Sequence, residues 1–192
     1  MRRFLLAFPT AESDEDLPSL FSAMKPHWER ADIEVTFVGL RAASADQVLV
    51  DRLSAAVERV GDSDLLALGG FSLGARIAAL AAPTIKAAAL IGFGYPFHRS
   101  GDVNDTHGLE ALRSVAIPTL IVQGSRDVHG NQRQVEGYAP LPPHVTLHWL
   151  ADGNHRLRPR VRSGLTESQH LESAAKAALA FITQIREPCR HD

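Results

Sequence analysis

Gly70-Phe71-Ser72-Leu73-Gly74 follows directly on the apolar run Leu65-Leu66-Ala67-Leu68 and leads into Ala75-Arg76-Ile77-Ala78-Ala79-Leu80-Ala81-Ala82. The first run has the content of a buried strand, and the last reads as a helix. Between them lies a G-x-S-x-G turn with a serine at its centre. Strand, tight turn and helix in that order form the setting of a nucleophile elbow. The two glycines have a physical task, because no side chain fits where the strand and helix backbones close on each other. A helix starting at the serine also directs its N–H groups and the positive end of its dipole there. Negative charge that develops at Ser72 is thereby favoured.

Working outward, apolar runs of strand length recur at Phe4–Phe8, Ile33–Val38, Leu65–Leu68, Ala87–Ile91, Thr119–Val122 and Val145–Leu150. Helical patterns occupy Leu17–Arg30, Ala45–Val60, Ser72–Ala82, Leu109–Val115 and Asn131–Tyr138. A last helix, Glu167–Ile185, carries Leu171, Ala174, Ala175, Ala178, Leu179 and Ile182 on one face. Strands alternating with helices predict an α/β fold of about six parallel strands with helices on both faces. No internal repeat or dividing linker appears. Residues 1–187 read as one domain and 188–192 as a polar tail. The longest central loop, Tyr95–His107, is too short for a lid domain.

The 192 residues are 45% hydrophobic and 22% charged, the balance of an ordinary globular protein. A formal net charge of −2 gives no electrostatic case for nucleic acid or membrane binding. The single cysteine, Cys189, cannot form an internal disulfide. Met1-Arg2-Arg3 followed by Phe4–Phe8 reads as a first strand, since the apolar core is too short for a signal peptide. A cytoplasmic location is the expectation. No dinucleotide fingerprint or phosphate-binding loop follows the first strand, and no cofactor is expected. His144 and His148 would stand roughly 13 Å apart on a strand, too far to share a metal ion.

A serine hydroxyl becomes a nucleophile at neutral pH when a base takes its proton and a carboxylate orients that base. In an open parallel sheet such groups collect beyond the carboxyl ends of the strands. Asp127 follows the strand Thr119–Val122 through Gln123-Gly124-Ser125-Arg126, and His155 follows Val145–Leu150 through Ala151-Asp152-Gly153-Asn154. Ser72, Asp127 and His155 are therefore the candidate nucleophile, orienting acid and base. Asp102, Asp105 and Asp152 compete for the acid role, Asp152 also as a brace for its own loop. His98, His107, His129 and His170 are further possible bases, and His129 is close enough to Asp127 to line a site.

Together these stretches resemble the α/β-hydrolase superfamily. The narrower resemblance is to small, lid-less predicted hydrolases related to dienelactone hydrolase, a domain also found in a subunit of a histone acetyltransferase complex. It rests on Gly70–Arg76, Gly94-Tyr95-Pro96-Phe97-His98, Pro118–Asp127 and Leu147–His155. The resemblance implies a triad of Ser72, Asp127 and His155 and a sheet lacking the first two strands of larger hydrolases.

At the amino end the chain departs from that pattern. Such hydrolases follow their first retained strand with a His-Gly-rich turn supplying half of an oxyanion hole, whereas this chain has Phe8-Pro9-Thr10-Ala11. Pro9 has no N–H to donate. Leu73 N–H supplies one donor in this reading, with Thr10 or Ala11 N–H as the second. The expected activity is cleavage of a small ester, thioester or related acyl substrate. The alternative is a non-catalytic binding or scaffold protein with a degenerate oxyanion turn. Tyr95, Phe97 and His98 are expected to wall the substrate pocket. Arg156, Arg158, Arg160 and Arg162 alternate after His155, and in an extended chain they would share a face. Arg158 is the candidate from that run for holding an anionic substrate, against the plainer reading of a solvated basic loop.

Overall fold

The computed structural model describes residues 2–10, 17–41, 45–61, 65–138 and 140–185. Six strands form one parallel sheet: β1 (Arg2–Thr10), β2 (Ile33–Arg41), β3 (Leu65–Phe71), β4 (Ala89–Phe93), β5 (Thr119–Gly124) and β6 (Val145–Leu150). Their spatial order is β2-β1-β3-β4-β5-β6. The chain adds strands in one direction, then reverses past β1. This places a topological switch point between β1 and β3, where a crevice opens beyond the strand ends.

Alternate residues along each strand enter opposite cores. Ala7, Leu68, Leu90 and Ile121 face α2 (Asp46–Val60), α3 (Leu73–Ala81) and α4 (His107–Arg113). Leu6, Ala67, Ile91 and Val122 face α1 (Leu17–Glu29) and α6 (Glu167–Gln184). Both faces of the sheet are thus covered by helices, as a parallel sheet requires. The fifth helix, α5 (Gln132–Glu136), starts at a capping box formed by Asn131 and Gln134. Thr166 and Gln169 make the same device ahead of α6.

The strands and helices expected from the apolar pattern are all present with small shifts at their ends. β3 runs on to Phe71 and β5 to Gly124. β1 runs to Thr10 because its pairing with β2 continues to Thr10↔Arg41. Pairing with β3 stops earlier, at Ala7↔Gly70. Pro9 therefore lies in strand geometry beyond the last β1–β3 pair, where β3 has already turned into α3. Ala11 and the tail 188–192 lie outside the described residues. Among the described residues no helix is long and apolar enough to cross a membrane.

Candidate active site

Ser72 sits between β3 and α3 with φ +52°, the left-handed region that a serine rarely adopts. The surroundings enforce it. Ser72 N–H donates to the Phe93 carbonyl, and the Ser72 carbonyl accepts from Ala75 and Arg76 N–H as α3 begins. Gly70 makes the turn possible: a Cβ there would lie 2.3 Å from the Gly74 carbonyl carbon and 2.5 Å from Ala75 N.

Asp127 and His155 come from the loops after β5 and β6. His155 Nε2 is 2.9 Å from Ser72 Oγ. His155 Nδ1 lies 2.9 Å from Asp127 Oδ2 and 3.1 Å from Oδ1. A carboxylate only accepts, so it holds the imidazole proton on Nδ1 and leaves Nε2 to accept from the serine hydroxyl. The Asp127 and His155 loops interlock through Gly124, where a Cβ would stand 2.4 Å from the Asn154 carbonyl oxygen.

The Asp127 carboxylate is 1% exposed and has two further donors. His129 N–H donates to Oδ1 at 2.8 Å, and Gln123 Nε2 donates to Oδ2 at 2.9 Å. Gln123 is itself fully buried. Its Oε1 accepts from Tyr95 N–H at 2.7 Å, and Nε2 also reaches the Tyr95 and Gly130 carbonyls. One side chain thus ties the loop after β4 to the loop that carries Asp127. The sequence reading did not single it out. A polar residue closing the apolar run Leu120-Ile121-Val122 was the available signal, because a buried amide must find partners.

The remaining candidates separate. Asp152 accepts from Arg160 and Arg126, and its pairing with Arg160 holds its carboxyl well below the usual carboxylate range. Asp105 accepts from the His107 ring, which lowers its pKa to about 2, and from the backbone of Arg99 and His107. Asp102 N–H closes a turn onto the Arg99 carbonyl. His170 is buried behind the site, donating Nδ1–H to the Leu157 carbonyl at 2.7 Å. His129 packs its ring 4.5 Å from that of His155.

A cavity of about 460 Å³ opens beside Ser72 and Leu73. His98 and His129 line it, together with Arg76, Arg99, Asp46, Asp105 and His107. Tyr95 and Phe97 do not form its wall. Both are buried against each other in the core, and Tyr95 Oη donates to the Gly108 carbonyl. Burial pushes the Tyr95 phenol well above its ordinary pKa. The arginine run is not extended either. Asn154 Oδ1 accepts from the N–H of Arg156 and Arg158, Asp152 Oδ2 accepts from that of Arg160, and Leu157 is left-handed at φ +63°. Arg158 Nε donates to Glu167 at 3.0 Å, away from the cavity. Thr10 ends β1, three residues past the last pair with β3. Among the described residues no group of three or more His, Cys, Asp or Glu side chains is placed to hold a metal ion.

The alpha/beta hydrolase domain model matches residues 38–183. Among solved structures, Est1E from Butyrivibrio proteoclasticus with bound ferulic acid aligns at a TM-score of 0.72 and 13% identity, covering 96% of this chain and 89% of that one. An alpha-beta serine hydrolase homologue from Coxiella burnetii aligns at 0.70 and 18% identity, over 93% and 84% of the two chains. XC6422 from Xanthomonas campestris, a serine hydrolase without a lid, aligns at 0.63 and 21% identity, over 92% and 82%. At such identities the likeness is one of fold. No curated protein matches the sequence.

Proposed function

The chain belongs to the alpha/beta hydrolase domain family, and from that premise we propose that it is a serine hydrolase cleaving a small ester, thioester or related acyl substrate. The observation that carries this reading is the continuous hydrogen-bonded chain from Ser72 Oγ through His155 to Asp127, with the serine held at φ +52°. His155 Nε2 takes the Ser72 proton as Oγ attacks the carbonyl carbon. The same proton passes to the leaving oxygen or sulfur as the tetrahedral intermediate collapses to an acyl-enzyme. Water then repeats the cycle with His155 as base. Asp127 keeps the imidazole in the required tautomer and stabilises its charged form, and Gln123 and His129 N–H fix the carboxylate. The first N–H of α3, from Leu73, is the oxyanion donor nearest the elbow, and Thr10 N–H is the second in this proposal.

A fluorophosphonate probe tests the nucleophile. Labelling is expected in the wild type and lost in Ser72→Ala, with ester hydrolysis collapsing in His155→Ala. Labelling that persists in Ser72→Ala removes the assignment.

The second reading, a hydrolase-like binding or scaffold protein, draws its support from Pro9. An oxyanion donor lost there would cost on the order of 10²–10³ in rate. Replacing Pro9 and Thr10 together by glycine raises turnover if the end of β1 limits the enzyme. Neither labelling nor turnover in either form favours the binding role.

A further inference from the structure

We propose that the cavity beside Ser72 selects an acyl group carrying a carboxylate, which the guanidinium of Arg76 holds. This rests on the serine hydrolase reading for its direction. The leaving group must depart toward His155, which returns the proton; the cavity is bounded by Leu73 and Arg76, with His129 between it and the His155 ring, and not by His155 itself. It therefore receives the acyl side of the substrate.

The lining argues against a plain alkyl chain. Apart from Leu73 and Pro96, the side chains facing the space are charged, imidazole or hydroxyl groups. Among them Arg76 has the placement for recognition. It lies in the first turn of α3, which Ser72 caps, and both residues line the cavity. Helical side chains lean toward the helix start, which brings the guanidinium back toward the elbow. Its side chain is only 18% exposed, while its partner Asp46 is 46% exposed, so the stem is covered and the head reaches the cavity and solvent.

Arg76 is held ready by Asp46, whose two oxygens accept from Nη1 at 2.8 Å and Nη2 at 2.7 Å. That pair uses two of the five guanidinium donors and leaves the others to meet a second carboxylate in the fork geometry arginine favours. Asp46 competes with the substrate as well as orienting the arginine. Substitutions at the two positions should then act in opposite directions, which a purely structural ion pair would not produce.

The test compares a glutaryl monoester with the butyryl ester of the same alcohol, reading the ratio of kcat/KM. The expected preference for the glutaryl ester is on the order of 10- to 100-fold at low salt, as for a charge-assisted pair, and it shrinks as salt is raised. Arg76→Gln brings the ratio to about one, Arg76→Lys keeps part of it, and Asp46→Asn increases it. A ratio near one in the wild type, or Arg76→Gln and Asp46→Asn moving it in the same direction, overturns the proposal. Equilibrium binding of glutarate against butyrate, followed by NMR titration of the wild type and the same variants, separates this from the proposed reaction. If neither ester is cleaved but glutarate binds and depends on Arg76, the anion site stands and the hydrolase reading falls. If glutarate binds no better than butyrate, the anion site falls whatever the esters do.

Discussion

Replacing Gln123 with methionine keeps the approximate shape of the side chain and removes its donors and acceptor. Four buried groups then lose a partner, of which the Tyr95 and Gly130 carbonyls, at 3.1 and 3.3 Å, hold the longer bonds. Tyr95 N–H loses the amide oxygen at 2.7 Å, and the Asp127 carboxylate loses the N–H at 2.9 Å. An unsatisfied buried amide costs about 1–3 kcal/mol and a lost bond to a charged group about 1.5–3 kcal/mol, so the variant should lose about 2.5–6 kcal/mol. A domain of this size has about 5–15 kcal/mol to lose, so the variant folds but melts about 5–20 °C lower. Urea unfolding followed by fluorescence of the buried Trp28 reads the stability. kcat/KM on a short ester reads the loosened Asp127, with an expected fall on the order of 10- to 100-fold.

Gln123→Glu makes the test specific. It keeps an oxygen for Tyr95 N–H but sets a second carboxylate against Asp127, and two carboxylates that close cannot both ionise. The folded pair then holds a proton that the unfolded chain releases above about pH 4. The cost is small near the unfolded value and grows as pH rises through the pair's folded value. Gln123→Glu should therefore be much less stable relative to wild type at pH 8 than at pH 5, while the deficit of Gln123→Met stays flat. Equal, pH-independent deficits for the two variants, or a methionine variant within about 0.5 kcal/mol of wild type, would refute the assignment of Gln123 as the residue that positions Asp127.

Four further outcomes are expected. Ser72→Gly should be more stable than Ser72→Ala by about 1 kcal/mol in thermal denaturation, because only glycine adopts φ +52° without strain. Gly124→Ala forces its Cβ against the Asn154 backbone and should cost about 1–3 kcal/mol while slowing fluorophosphonate labelling of Ser72, since the His155 loop must shift. Burial lowers the folded pKa of His148, which lies next to Ser173 Oγ. The stability it leaves in place above the ordinary value of 6.5 falls away as pH drops below it, and His148→Gln should flatten the urea midpoint there. Within a neutral acyl series, hydrolysis should peak at short chains and decline beyond about eight carbons, because a space of about 460 Å³ with a polar lining cannot shelter longer ones.

The sheet, the helices and the strand-end positions of Ser72, Asp127 and His155 were legible because each rests on local pattern. A buried parallel strand writes itself as a short apolar run, and the groups beyond its carboxyl end follow by counting. What was not legible depends on which way a side chain turns after the strand stops. Tyr95 and Phe97 looked like a pocket wall because aromatics follow β4, but the fold buries both and directs the Tyr95 hydroxyl to Gly108. The arginine run looked extended because its charges alternate. Asn154 and Asp152 capture the backbone N–H of Arg156, Arg158 and Arg160, and local side-chain acceptors of this kind compete successfully with extended structure.

The polar character of the cavity was hidden for a related reason. Its lining is drawn from the starts of α2, α3 and α4 and from the loops after β4 and β5, segments far apart in sequence. One part was nevertheless present in the motif that decided the fold. Ser72 caps α3 and Arg76 lies in its first turn, and both line the cavity. Arg76 places a cation beside the proposed nucleophile. It attracts counter-charge, and Asp46 shows the fold already answering that demand from α2. The elbow thus specifies two things at once. On the proposed reading, the glycines and the strained serine set where attack occurs, and Arg76 favours an acyl group that carries a carboxylate.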